Sequence, residues 1–155
     1  MPCHAAIVDK HLVLKEDVKV EKALKAIKKA AAAHAAVTDE NGTLVGFFSY
    51  AILMKNLLPV SVAMADGIQL DVTIPAAPGI AKRLKNVLPL QLSQFIERKN
   101  FPVVYPETPL WEGVNLIVQT GLPLCVIEPE SQKYIGLITH ESAFDELQRL
   151  KDSES

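Results

Sequence analysis

Apolar and polar positions along this chain change period several times. From Lys19 to Ala36, "KVEKALKAIKKAAAAHAA" puts Val20, Ala23, Leu24, Ile27 and Ala31 on one side of a 3.6-residue spiral and lysines on the other, which predicts an amphipathic helix. Asp17 stands where a carboxylate can accept from free first-turn N–H groups. Residues Val37 to Tyr50, "VTDENGTLVGFFSY", then read as strand, tight turn and strand, with Asn41-Gly42 as the hairpin signal. After Ser49, "YAILMKNLL" predicts a second helix ended by Pro59.

The later half repeats the order. "FPVVYPETPL" is a short extended run, "LWEGVNLIVQT" an amphipathic helix ended by Gly121, "LPLCVIE" and "QKYIGLI" paired strands, and "THESAFDELQRL" a closing helix. Gly136 follows Gly46, and Val114 follows Leu24, at an offset of 90, while Val126 follows Val37 at 89. A one-residue drift fits duplication with slippage in a loop. Each unit is strand, helix, strand, strand, helix, an α/β (α+β) fold whose sheet has one face to bury. The expected organisation is a first repeat over 1–58, an insertion and linker over 59–100, and a second repeat over 101–155, the two packing as a pseudo-two-fold pair.

Within the insertion, apolar alternation at Val60, Val62 and Met64, a break at Asp66-Gly67, and resumption from Ile68 to Ile74 read as an extra hairpin or an irregular loop. "IAKRLKNVL" then predicts a short amphipathic helix with a basic outer face. The insertion is expected to make dimer or partner contacts, because its apolar alternation lies outside the repeated core.

Composition narrows the function. With 155 residues, 49% hydrophobic and 22% charged, the chain is globular in character, and a formal charge of −2 with scattered basic residues argues against a nucleic-acid partner. No apolar run reaches membrane length, and Asp9 and Lys10 interrupt any leader, so the expected location is cytoplasmic, with no membrane partner. Cys3 and Cys125 make no disulfide framework, and Cys3-His4 supplies too few ligands for a metal. No nucleophile–base spacing, paired-acid motif or phosphate-cradling glycine loop appears, so the chain is not expected to be an enzyme.

Two copies of a helix followed by "VTDENGTLVGFFS" and "VIEPESQKYIGLIT", preceded by "LKEDVKVEKAL" and "VYPETPLWEGV", resemble the tandem cystathionine-β-synthase (CBS) domain pair, or Bateman module. The resemblance implies βαββα repeats, frequently a disc-like homodimer, and two clefts between the copies that take adenosine-type ligands such as AMP, ADP, ATP or S-adenosylmethionine. It implies a regulatory, energy-sensing role with no catalytic residues and no required cofactor. Because the chain closes at "KDSES" with no catalytic or transport segment, its output is expected to pass through an unidentified effector protein.

In that family a Gly is followed three residues later by Ser or Thr, which reaches phosphate or ribose, and three later still by Asp or Asn, which grips the ribose. Gly46 and Ser49 match in copy one, but Ile52 replaces the acid; Gly136 and Thr139 match in copy two, with Ser142 in the acid's place. An isoleucine accepts no hydrogen bond, and a serine has shorter reach and no charge. The cleft of Thr139, His140 and Ser142 is therefore the better candidate. The resemblance also brings His34 and Pro123 to the base edge and Tyr105 to the base pocket. Ser49 and Thr139 equally fit plain helix N-caps, and His140, His34 and Tyr105 equally fit exposed or core-covering positions. The alternative function is a ligand-free dimerisation scaffold with degenerate clefts.

Overall fold

Val20, Ala23 and Ile27, spaced one helical turn apart, are fully buried and seat helix α1 (Val20–Ala30) on a sheet of β1 (Val13–Lys15), β2 (His34–Thr38) and β3 (Leu44–Ser49). The computed structural model describes residues 1–8, 12–58 and 79–154. β1 runs parallel to β2 with α1 as the crossover, and β2 and β3 form an antiparallel hairpin. Its turn is closed by Asp39, whose Oδ1 accepts from the N–H of Asn41 at 2.8 Å and of Thr43 at 3.0 Å, and by Gly42 at φ 84°. Helix α2 (Tyr50–Leu57) follows.

After α3 (Ile80–Val87), the second copy has the same parts: β4 (Val103–Val104), α4 (Leu110–Thr120), β5 (Leu124–Ile127), β6 (Tyr134–Ile138) and α5 (His140–Ser153), in a sheet of order β4-β5-β6. The fold is therefore two three-stranded α+β repeats. The extra hairpin expected over Val60–Ile74 lies outside the described residues; the amphipathic helix after it is α3. Arg83 of α3 donates from Nη1 to the Leu57 carbonyl at 3.1 Å, fastening α3 to the end of α2.

Helix α1 stops earlier than its alanines predict. Ala31 turns left-handed at φ 52°, and β2 begins at His34, three residues before Val37. Alanine favours helix, but Ala35 and Ala36 are fully buried in β2, where bulkier side chains would hold the layers apart. The expected cap also differs. Asp17 does not cap α1; the N–H groups of Val20 and Glu21 donate to the carbonyls of Leu90 (2.9 Å) and Leu88 (3.1 Å) instead.

Those carbonyls belong to a segment placed before the other copy, and the exchange is mutual. A 3₁₀ turn at Leu92–Phe95 completes the first copy, with Leu92 N–H donating to Val18 and Leu92 itself fully buried against Leu14, Val20 and Phe48. A 3₁₀ turn at Cys3–Ala6 completes the second: Cys3 N–H donates to Thr108 O at 2.8 Å, and Cys3 and Ala6 pack with Val104, Leu124 and Ile138. Neither sheet buries its face without the segment that precedes the other.

Between the copies, Ala36 and Phe47 of one meet Cys125 and Leu137 of the other. The two hairpin tips also pair, with Leu44 N–H donating to Gln132 O and Tyr134 N–H to Gly42 O. Cys125 sits in this seam, where burial pushes its thiol up to about 12 and keeps it protonated. Trp111, whose surroundings the sequence leaves undecided, is exposed. Among the described residues no helix is long and apolar enough to cross a membrane, and no three His, Cys, Asp or Glu side chains gather as a metal site would require.

Candidate functional site

The pseudo-two-fold packing leaves one cleft on each side of the seam. The larger, about 640 Å³, opens where the end of α1 and the start of β2 face the start of α5. Small side chains from Ala30 to Ala33 leave the space; Val8, Leu12 and Leu137 give apolar walls; His34, Pro123, Thr139, His140 and Glu141 line the rest. That volume is within the roughly 300–1,000 Å³ usual for small-molecule sites. Ala31 holds one wall in a left-handed conformation that costs a β-carbon about 1 kcal/mol. Ala31→Gly is accordingly expected to raise stability by about 0.5–1 kcal/mol in chemical denaturation.

Thr139 follows β6 and caps α5. Its Oγ1 accepts from Ser142 N–H at 3.0 Å, while Ser142 Oγ accepts from Thr139 N–H at 2.9 Å and donates to Thr139 O at 3.2 Å. The Ser142 hydroxyl is thus spent on the cap and does not line the cleft. The N–H groups of His140 and Glu141, in the first turn, have no acceptor within the helix and lie at the positive end of its dipole.

His34 stands between the two clefts, lining both. Its ring stacks on Phe47 with centroids 5.2 Å apart, and Phe47 stacks in turn on Phe101 at 5.5 Å. Burial, and then the charge of His140, hold the His34 imidazole below its ordinary value. The unfolded chain therefore binds a proton more readily than the fold does, so this group makes stability fall as pH drops below about 6.5, levelling off below the folded value. The melting temperature of His34→Asn is expected to fall less than that of the parent between pH 7 and pH 5. Equal slopes would remove His34 as the cause.

The second cleft, about 480 Å³, is built on the start of α2. Ser49 caps that helix by accepting from Ile52 N–H at 3.2 Å, and Ile52 presents its aliphatic side chain where an acid would be needed. Lys55, Asn56, Gln94, Glu97 and Asn100 supply polar groups around it. Tyr105 is in neither cleft: it lines a separate hollow with Arg98, Phe101 and Gln132, and is about half exposed.

Of the residues predicted from sequence, His34, Pro123, Thr139 and His140 come together. Ser49 is in the opposite cleft, Ser142 supports the cap, and Tyr105 stands apart. Sequence reasoning missed Ala30–Ala33, Glu141 and Lys55. Lys55 was findable, in the second turn of the helix that Ser49 caps; the alanine wall was not, because its composition is that of a continuing helix.

The sequence model of the CBS domain matches residues 5–59 and 93–149. No curated protein matches the chain. Among solved structures, a CBS domain-containing protein of unknown function from Bacillus anthracis str. Ames Ancestor superposes with TM-score 0.73 at 14% identity, covering 96% of this chain and 94% of that one. The CBS-pair protein CBSX2 from Arabidopsis thaliana gives TM-score 0.70 at 19% identity over 97% and 96%. The structure of CBSX2 in complex with AMP gives 0.70 at 18% over 97% and 98%.

Proposed function

The chain belongs to the CBS-domain family as a tandem pair, and from that premise we propose that it is a regulatory module taking an adenosine-type nucleotide in the cleft beside Thr139 and His140. The observation that carries this reading is the convergence of His34, Pro123, Thr139 and His140, from three separate stretches of sequence, on one cleft of adequate size. The AMP complex of a structural neighbour supports it.

In this reading the first-turn amides of α5, the Thr139 hydroxyl and His140 meet phosphate. Glu141, one residue before Ser142, supplies the carboxylate for ribose hydroxyls that Ser142 lacks. His34 and Pro123 edge the base. Ser142 contributes by holding Thr139 in place, Tyr105 makes no direct contact, and Ser49 belongs to a weaker second cleft. Binding changes how the two copies pack and is read by an effector protein; the module itself does no chemistry.

Thermal unfolding with AMP, ADP, ATP and S-adenosylmethionine tests the proposal. A ligand at 100 times its dissociation constant is expected to add about 2.7 kcal/mol. Thr139→Ala with Ser142→Ala loses a cap worth about 1 kcal/mol without ligand, so the quantity compared is the ligand-induced increment, which should shrink at least about tenfold in affinity terms. An unchanged increment would place the site elsewhere. A ligand-free scaffold is the second reading, favoured by Ile52 in one cleft and by the committed Ser142 hydroxyl in the other; no response to any of the four compounds would select it.

A further inference from the structure

Tyr105, which the two clefts leave aside, belongs to a hollow of about 360 Å³ at the opposite end of the strands. Leu44 opens β3 there and Ile127 closes β5, close to where the hairpin turns pair through Thr43 and Lys133; Ser49 and Thr139 stand at the far ends of the same hairpins. Val45, Val103 and Ile127 give the hollow aliphatic walls, and Phe101 and Tyr105 give it two rings. The Phe101 ring is held by its stack on Phe47, so this part of the hollow is formed before any ligand arrives.

Two polar side chains join this apolar frame, each tethered by one hydrogen bond. Arg98 donates from Nη2 to Ser93 O at 2.9 Å. Among the described residues it pairs with no carboxylate, and none of them that lines the hollow is acidic, so its charge is uncompensated there. Gln132 donates from Nε2 to Pro129 O at 2.8 Å, which leaves its second amide N–H for another acceptor. Its backbone is left-handed at φ 63°, at the position where copy one has Gly42 at φ 84°. Glycine adopts that conformation freely and glutamine at a cost, so copy two keeps a side chain where the turn itself needs none. The duplication does not repeat these groups: 90 positions before Arg98 stands Val8, and 90 before Tyr105 stands Lys15.

We propose that this hollow is a separate binding site for a small aromatic carboxylate, its ring against Phe101 and the aliphatic wall and its carboxylate on the Arg98 guanidinium and the Gln132 amide. The remaining N–H groups of a guanidinium match the two oxygens of a carboxylate, and a ring offset over phenylalanine adds a directional contact. The volume is at the low end of the roughly 300–1,000 Å³ usual for small-molecule sites, which suits one ring and its carboxylate better than a nucleotide. The site stands on these groups alone and does not depend on nucleotide binding.

NMR titration of the 155-residue chain tests it, with benzoate as the probe and benzyl alcohol as its uncharged counterpart. Benzoate is expected to give saturable shifts at the backbone amides of Phe101, Tyr105 and Gln132, and benzyl alcohol to give none. Arg98→Gln, which keeps a donor for Ser93 O and removes the charge, is expected to weaken benzoate at least about tenfold. Gln132→Gly is expected to weaken it several-fold while the fold is retained, because glycine fills the same turn position in copy one. Benzoate shifts confined to residues 139–141 would put the carboxylate in the nucleotide cleft, and an equal response to benzyl alcohol would reduce the contact to apolar burial. Either result overturns the proposal, as does unchanged affinity in Arg98→Gln or the absence of any saturable response.

Discussion

Phe47→Ala is expected to lower the free energy of unfolding by about 3–5 kcal/mol, the usual cost of emptying a phenylalanine site in a packed core. The ring is 1% exposed and sits where the copies meet, among Ala36, Cys125 and Leu137, with His34 stacked at 5.2 Å and Phe101 at 5.5 Å. Few neighbours can close the gap, since β-strand backbone lies on one side and the other copy on the other. Phe48, next in the same strand, points into the core of the first copy alone. Phe48→Ala should therefore cost a similar amount of stability, but only Phe47→Ala should also loosen the seam and move His34 in both clefts. Urea denaturation measures the first effect, and nucleotide affinity of the folded fraction measures the second. A cost below about 1 kcal/mol for Phe47→Ala would mean that the seam is not packed as described.

Gly46→Val should be of comparable severity, for a different reason. A β-carbon at Gly46 would stand 2.6 Å from Ile96 Cδ1 and 2.9 Å from the Glu97 carbonyl oxygen. The isoleucine tip can rotate away, but the carbonyl is backbone and accepts from Phe47 N–H at 2.8 Å, while Glu97 N–H donates back to Phe47 O at 2.9 Å. Overpacking of this kind costs about 1–3 kcal/mol for a small addition, and the branched valine should reach or exceed the upper end, with alanine at the lower. The expected local signature is loss of amide exchange protection at Phe47 and Glu97, because the displaced segment is the one that completes the first copy. Retained protection together with a cost under about 0.5 kcal/mol would show that Gly46 is kept for some other reason.

This second case shows how a motif can be read correctly and explained incompletely. Gly46 was legible as the first position of a Gly-x-x-Ser step before a helix, a pattern that pointed to ligand binding. In the fold, its lack of a side chain is already required by the approach of Ile96 and Glu97. Ser49 and Thr139 are similar: both cap helices, and Thr139 alone faces the larger cleft.

The repeat itself was in the sequence, because two amphipathic helices and two hairpins each carry local instructions. Apolar spacing selected helix or strand, Asn41-Gly42 and Gly121 marked turns, and the offset of 90 related the halves. From those came the α+β class and the pairing of two copies; the family came from the resemblance of the two quoted hairpin stretches.

The remainder needed three dimensions. The run from Ala30 to Ala36 has the composition of a helix, and local propensity alone would continue it. Burial of Ala35 in the core of the first copy and of Ala36 in the seam is worth more than a few tenths of a kcal/mol per residue of helix preference, so the chain turns at Ala31 and becomes strand. The same change creates the wall of the larger cleft. Likewise, no local pattern says that residues 1–8 complete the second copy while residues 88–97 complete the first. That exchange is decided by which sheet edge and which unpaired helix-end amides lie within reach, and those distances exist only once both copies have folded together.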